Sequence, residues 1–287
     1  LVTGEGYLKK PLGLIDRESV WKRIQKAGLT EAEVGYLWMD DSLGLILDKL
    51  DALGIADNTI VVFVSDHGSE RKGSLIKTRG TEIPCLIRWP KVIKPGSVSH
   101  GLLQNTDFVP TWFELAGAKP PEDYHMDGKS LVPMFEDPSV SIREFIYAEQ
   151  GPARAIKTKE WEYVSLRYTD EQIEAAQGNR ADRAFKTFLG LSGGISRAKD
   201  FHPGTFSADQ LYHLTHDPDS QKNLAKDKGY AGQLRKMKSM LAKTVKKLGS
   251  RPYGDFVPGK GTNDAATSQK VLDKLSVYHA SEGKKKK

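Results

Sequence analysis

From Asn58 to Gly68 the chain reads Asn-Thr-Ile-Val-Val-Phe-Val-Ser-Asp-His-Gly, apolar for most of its length and then abruptly polar. Six residues from Ile60 to Ser65 are apolar or small and mostly β-branched. A run of that length without alternation predicts a buried strand of the kind found in parallel sheets covered on both faces. Just upstream the period changes. Val34, Leu37, Trp38, Leu45, Ile46, Leu50 and Leu53 recur at helical spacing between Thr30, which opens a Thr-x-x-Glu capping box with Glu33, and Gly54, which stops the helix. A second short apolar strand is expected at Pro84–Trp89, then a turn at Pro95-Gly96. Asp107 or Thr106 is expected to cap a helix that tolerates Pro110 in its first turn.

Residues 117–141 hold Pro120-Pro121, Asp127-Gly128, Pro133 and Asp137-Pro138, which predicts a loop-rich passage and a domain boundary. Beyond it the apolar runs are short and closely spaced. Phe145–Ala148, Ala153–Lys157, Glu162–Leu166 and Ala208–Leu214 predict antiparallel strands of a second, smaller sheet. Leu234, Met237, Leu241, Val245 and Leu248 form a core-facing helical stripe, with Lys236, Lys238, Lys243, Lys246 and Lys247 on the wet side. Residues 169–200 read as an insertion containing the glycine-rich Gly190–Gly194. The organisation expected is an α/β region over 1–135, a smaller α+β subdomain over 136–250, and a polar, partly disordered tail over 251–287.

Composition narrows the function only modestly. The formal net charge of +6 is largely explained by Lys284–Lys287 and the lysine-rich helix, and no recognition helix, zinc finger or aromatic RNA-binding pattern accompanies it. No nucleic-acid partner is therefore expected. Positive charge around an anionic substrate is the better use of the excess. The single cysteine, Cys85, excludes an intramolecular disulfide and reads as a small apolar strand residue. No hydrophobic run approaches membrane-spanning length, and no signal peptide is visible.

Candidate chemistry sits at the carboxyl end of the first strand, where open α/β sheets place ligand sites. Asp66 and His67 are metal-ligating residue types, although Asp-His-Gly alone could be a helix cap and a turn. The residues downstream of the tripeptide are more specific. Lys72-Gly73-Ser74 lies a few residues on, and the next strand closes with Arg88-Trp89-Pro90. Strand, Asp-His, Lys-Gly-Ser loop and Arg-Trp-Pro strand in this order resemble the sulfatase family of the alkaline phosphatase superfamily. The helix around Met39–Gly54, the segment Asn105–Gly117, and Tyr147–Val164 with Leu211–Leu224 extend the resemblance over roughly residues 30–225. Two departures stand out: Lys91 occupies a position where the family usually has Gly, and Ile76–Thr81 replaces its usual Tyr-Glu-Gly-Gly-x-Arg loop.

The resemblance implies an α/β fold: the C-terminal part of an alkaline-phosphatase-like sandwich with a central, mostly parallel sheet, plus a smaller subdomain with an antiparallel sheet. Residues 1–135 would be the C-terminal half of the catalytic domain. It implies hydrolysis of sulfate esters of a carbohydrate or an aryl or alkyl alcohol, with Asp66 and His67 as ligands of a divalent cation and Lys72 on the sulfate. Calcium is the expected ion, with manganese or zinc made thinkable by the histidine. Arg71, Lys77 and Arg79 are alternative sulfate contacts. The family's nucleophile is a formylglycine made within a Cys/Ser-x-Pro-x-Arg motif, which this sequence lacks; Pro84-Cys85-Leu86-Ile87-Arg88 has no internal proline. The chain therefore reads as the C-terminal part of a sulfatase-like protein, and family habit suggests a periplasmic or secreted location. Alternatives are a phosphodiesterase or phosphonate monoester hydrolase of the same superfamily, or a non-catalytic fragment. Glu149 and Arg154 could approach the site, whereas His125, His202, His213 and His216 read as structural or solvent-exposed.

Overall fold

A computed structural model describes residues 2–3, 6–7, 15–68, 80–150, 153–167 and 207–248, together with helical residues 265–266, 269–270 and 272–273. The expected insertion at 169–200 and most of the expected tail lie outside the described residues. The chain divides into two units, one of residues 1–62 and 86–96, the other of 63–85 and 97–287.

The first unit opens with a small antiparallel ribbon, β1 (Val2–Thr3) and β2 (Gly6–Tyr7). Helix α1 (Arg17–Lys26) is capped by Asp16, whose carboxylate accepts from the Ser19 backbone at 2.9 Å, and it buries Val20 and Ile24. The Thr30 box forms as the sequence predicts: the Thr30 amide donates to Glu33 at 2.7 Å, and the Thr30 hydroxyl accepts from the Ala32 amide at 3.3 Å. Helix α2 (Val34–Ala52) comes next, and Gly54 ends it at φ +67°, a conformation that an L side chain would strain. Arg23 grips Asp41 with both guanidinium nitrogens, joining α1 to α2. Along the predicted stripe of α2, Val34, Leu37, Trp38, Leu45 and Leu50 are half-buried, while Ile46 and Leu53 are exposed.

Strands β3 (Val61–Val64) and β4 (Cys85–Arg88) form a two-stranded sheet. The expectation of a strand covered on both faces is not met here. Val61, Val62 and Phe63 are half-buried and Val64 is 41 % exposed, because β4 is the only strand beside β3 among the described residues. Within the first unit, Trp89 donates its indole N–H to the Asp57 carbonyl at 3.0 Å, and Arg88 pairs with Asp51 at 3.4 Å.

The second unit contains the largest core. Strands β5 (Ile146–Gln150), β6 (Ala153–Lys157), β7 (Trp161–Leu166) and β8 (Asp209–His213) form an antiparallel sheet in chain order, as expected. Register explains its two faces. Ile156 pairs with Tyr163, which pairs with Leu211, and this row meets Met237 and Leu241 of the last long helix, residues Ala231–Leu248. Complete burial of a side chain such as Leu211 or Ile156 contributes about 1.5–3 kcal/mol. The next row, Lys157, Glu162 and Tyr212, points to the opposite face, since neighbouring strand residues alternate.

Helix α3 (Phe108–Leu115) carries Pro110 in its first turn and has Asp107 at its N-cap position as expected, although the carboxylate makes no cap bond to this helix. The residue that opens the preceding 3-10 turn is Gln104, and Asp107 reaches back to accept from the Gln104 amide at 2.7 Å. Asp107 is fully buried; it also accepts from the Lys129 amide at 2.8 Å and from Arg143. This network pins the passage that the sequence reads as loop. At Gly128 an added Cβ would stand 2.0 Å from the Thr106 carbonyl oxygen, so only glycine fits. Within the same passage lies a short helix, α4 (Val132–Glu136), with Pro133 in its first turn and Met134 and Phe135 buried. Helix α5 (Ala231–Leu248) closes the unit with Leu234, Met237, Leu241 and Val245 of the predicted stripe in the core. Among the described residues, no helix is long and apolar enough to cross a membrane.

Candidate functional site

The residues that carry the chemistry begin where β3 ends. The Ser65 amide donates to the Pro84 carbonyl at 3.3 Å, extending the pairing with β4 by one residue, and the Gly68 amide donates to the Gly80 carbonyl at 3.1 Å. These bonds tie the described residues on either side of 69–79 to each other. Between the two bonds stand Asp66 and His67. Ser65 donates its hydroxyl to the His67 carbonyl at 2.8 Å, which fixes the backbone at the turn.

His67 Nδ1 lies 2.8 Å from the Gly68 carbonyl oxygen. A carbonyl can only accept, so Nδ1 is the donor of this bond, which leaves Nε2 as the nitrogen turned to Asp66. That nitrogen lies 3.5 Å from Asp66 Oδ2, and the Asp66 side chain is 85 % exposed. A ring whose one nitrogen donates to a backbone carbonyl is the orientation seen in metal-ligating histidines, which bind through the other nitrogen when it is unprotonated. The pair therefore fits two adjacent ligands of a cation. Among the described residues no third carboxylate, histidine or cysteine joins them. A hard ion such as calcium takes six to eight oxygen ligands, so the two residues supply part of a site.

Lys72 and its alternatives Arg71, Lys77 and Arg79 lie outside the described residues. The structure instead reveals a lysine that the sequence reading missed. Lys157, at the end of β6, donates to the Thr81 hydroxyl, one residue beyond the loop's closing bond at Gly80. It also pairs with Glu162 at 3.1 Å, their side chains 3 % and 0 % exposed. Glu162 in turn accepts from the Ser220 hydroxyl at 3.1 Å, and Ser220 is held at φ +53°. A buried pair of this kind is costly to break, because removal of one partner strands the other charge away from water. The hairpin spacing of Lys157 and Glu162 was a signal that they face each other across strands. Their burial was not legible, since it depends on Thr81 and Ser220, far away in sequence.

The remaining candidates find other roles. Glu149 and Arg154 are cross-strand partners, 3.7 Å apart, and Tyr147 donates its hydroxyl to Glu149. Burial, followed by the Glu149 carboxylate, pushes the Tyr147 hydroxyl well above the usual tyrosine range. His213 packs between Trp161 and His216, its ring centroid 4.2 Å and 4.3 Å from theirs. His202 lies outside the described residues. Cys85 is half-buried, and burial raises its thiol above the ordinary value, which disfavours the reactive thiolate.

Residues 35–118 match the Sulfatase family. An ulvan-active sulfatase of Formosa agariphila is 32% identical over 221 residues, covering 73% of this chain and 41% of that relative. Two solved structures share the fold. One, a complex with its substrate D-glucosamine-2-N,6-O-disulfate, superposes with a TM-score of 0.54 at 21% identity over 80% of this chain and 45% of the other. A phosphonate monoester hydrolase of Agrobacterium radiobacter gives 0.51 at 22% identity over 75% of this chain and 40% of the other. The chain spans less than half the length of each of these proteins.

Proposed function

Because this chain is related to the sulfatases and shares their alkaline-phosphatase-like fold, we propose that it provides the cation-binding and sulfate-holding part of a hydrolase acting on sulfate esters of carbohydrates. The observation that carries this reading is the Asp66-His67 pair at the end of β3, with His67 oriented by its Nδ1 bond to the Gly68 carbonyl and its Nε2 beside Asp66. A sulfate monoester is anionic and repels an incoming nucleophile. Asp66 and His67 would hold a divalent cation, calcium before manganese or zinc, whose charge offsets that of the ester oxygens. Lys72 would add a compact positive charge from the loop whose ends the Gly68–Gly80 bond closes. The nucleophile implied by the relationship is a formylglycine, and no Cys/Ser-x-Pro-x-Arg motif for it occurs in this sequence. The relative named for ulvan favours a glycan substrate and, with it, export to the periplasm or beyond.

The deciding experiment compares Asp66→Ala and Lys72→Ala in the protein. Asp66→Ala should remove cation-dependent thermal stabilisation and turnover together, and Lys72→Ala should lower turnover about a hundredfold without loss of fold. Unaltered metal content in Asp66→Ala would overturn the ligand assignment. Loss of activity in Lys77→Ala or Arg79→Ala, with Lys72→Ala unaffected, would move the sulfate contact along the loop. A second reading, phosphonate monoester hydrolysis, is raised by the fold shared with the Agrobacterium structure, whose TM-score of 0.51 is slightly below the 0.54 of the disulfated-glucosamine complex. Faster turnover of an aryl phosphonate than of the matching aryl sulfate would select it.

A further inference from the structure

The sheet β5–β8 has two faces, and the one that carries α5 opens into a cleft of about 1360 Å³. Lys236, Met240, Thr244 and Lys247 of α5 line one wall, and Phe145 and Tyr147 at the start of β5 line the other. A smaller hollow of about 520 Å³ shares Phe145 and Met240 and adds Lys243 and Lys246.

Charge on the α5 wall has one sign. The helix holds Arg235, Lys236, Lys238, Lys243, Lys246 and Lys247 and not one acidic residue. Lys238 is committed to Asp209, while Lys236, Lys243 and Lys246 are exposed. A single helix face of like charges costs self-repulsion, which an anionic ligand relieves. The rest of the lining is not uniformly basic. Asp127, Glu144, Glu149 and Glu160 border the cleft beside Gln104 and Gln233. Glu149 is balanced by Arg154 and accepts from Tyr147. Such a lining suits a ligand with widely spaced anions and many hydroxyls between them. It suits poorly a duplex with a phosphate about every 1.7 Å of axis, which the carboxylates would repel. The apolar edge of Phe145 and Met240 matches the ring faces of sugars.

We propose that this cleft binds a sulfated glycan chain along α5, on the sheet face opposite Lys157. The proposal rests on the reading that the protein works on sulfated glycans, and it adds a holding site for the polymer. Retention on dextran sulfate at low ionic strength tests it, with unsulfated dextran and a short DNA duplex as competing probes. The protein should bind dextran sulfate in a salt-sensitive manner and ignore dextran. Lys236→Glu combined with Lys243→Glu should weaken that binding about tenfold with an unchanged melting temperature, both side chains being exposed. The milder pair Lys236→Gln and Lys243→Gln should lose less in the same direction. Wild-type affinity in the glutamate variant, or tighter binding of DNA than of dextran sulfate, would overturn the proposal. Binding is read without turnover, so a protein that holds dextran sulfate but hydrolyses no sulfate ester sinks the hydrolase reading alone.

Discussion

The β3–β4 ribbon and the β5–β8 sheet are made of similar short runs of branched and aromatic residues, yet they differ sharply in burial. Val64 is 41 % exposed and Leu86 61 %, whereas Tyr163 is 1 % exposed and Leu211 and Tyr212 are at 0 %. Strand character is a local property; burial depends on neighbours. β7 has strands on both sides and α5 across one face, while β3 has β4 alone among the described residues. The ribbon carries the candidate ligands, and the sheet carries the apolar core. Sites that must admit ions and substrates are drawn from the less stable parts of a fold, and here that division runs along the two sheets.

The most disruptive way to probe this contrast is to break the charged row of the sheet. Lys157→Met leaves Glu162 buried without its cation and should cost about 3–5 kcal/mol, read from urea unfolding. A loss below about 1 kcal/mol would show that water reaches Glu162 and that the face is not dry.

A middle-sized effect is expected at Asp209. Burial alone would raise this carboxyl, but hydrogen bonds from Lys238 and Arg167 outweigh it and hold the group below its usual range. A depressed carboxyl stabilises the fold above its unfolded value of about 4 and loses that contribution as pH falls through the folded value. Asp209→Asn should therefore cost about 2 kcal/mol at neutral pH, and the gap to wild type should narrow on acidification below about pH 4. A gap that stays constant with pH would mean the charge contributes nothing.

The smallest effect belongs to the ribbon. Val64→Thr keeps the branched strand shape and exchanges an exposed methyl for a hydroxyl, so the change should stay within about 0.5 kcal/mol. Destabilisation comparable to that of Lys157→Met would erase the contrast between the two sheets.

Sequence and structure agree best where short-range rules decide. The Thr30–Glu33 box, the stop at Gly54 and the four antiparallel strands arise from spacing and turn chemistry. The strand leading into Asp66-His67 was also legible, because its length and polar end are written in consecutive residues. The illegible part is long-range. Asp107 looked like a helix cap, but Lys129 and Arg143 turn it into the centre of a buried network. Lys157 was read only as the last residue of a strand, yet Thr81, distant in sequence, takes it inside. Lys72 shows the other limit, since a role carried over by family likeness stays a proposal until its own surroundings are described.

The enclosure of Lys157 has a consequence for chemical labelling. An ammonium that is 3 % exposed and paired with Glu162 is closed to reagents in solvent, so acylating agents that modify Lys236 and Lys243 at once reach it only through opening of the sheet. Peptide mapping of that one amine thus times the breathing of β6 and β7 in an otherwise native molecule, with the surface lysines as its internal standard.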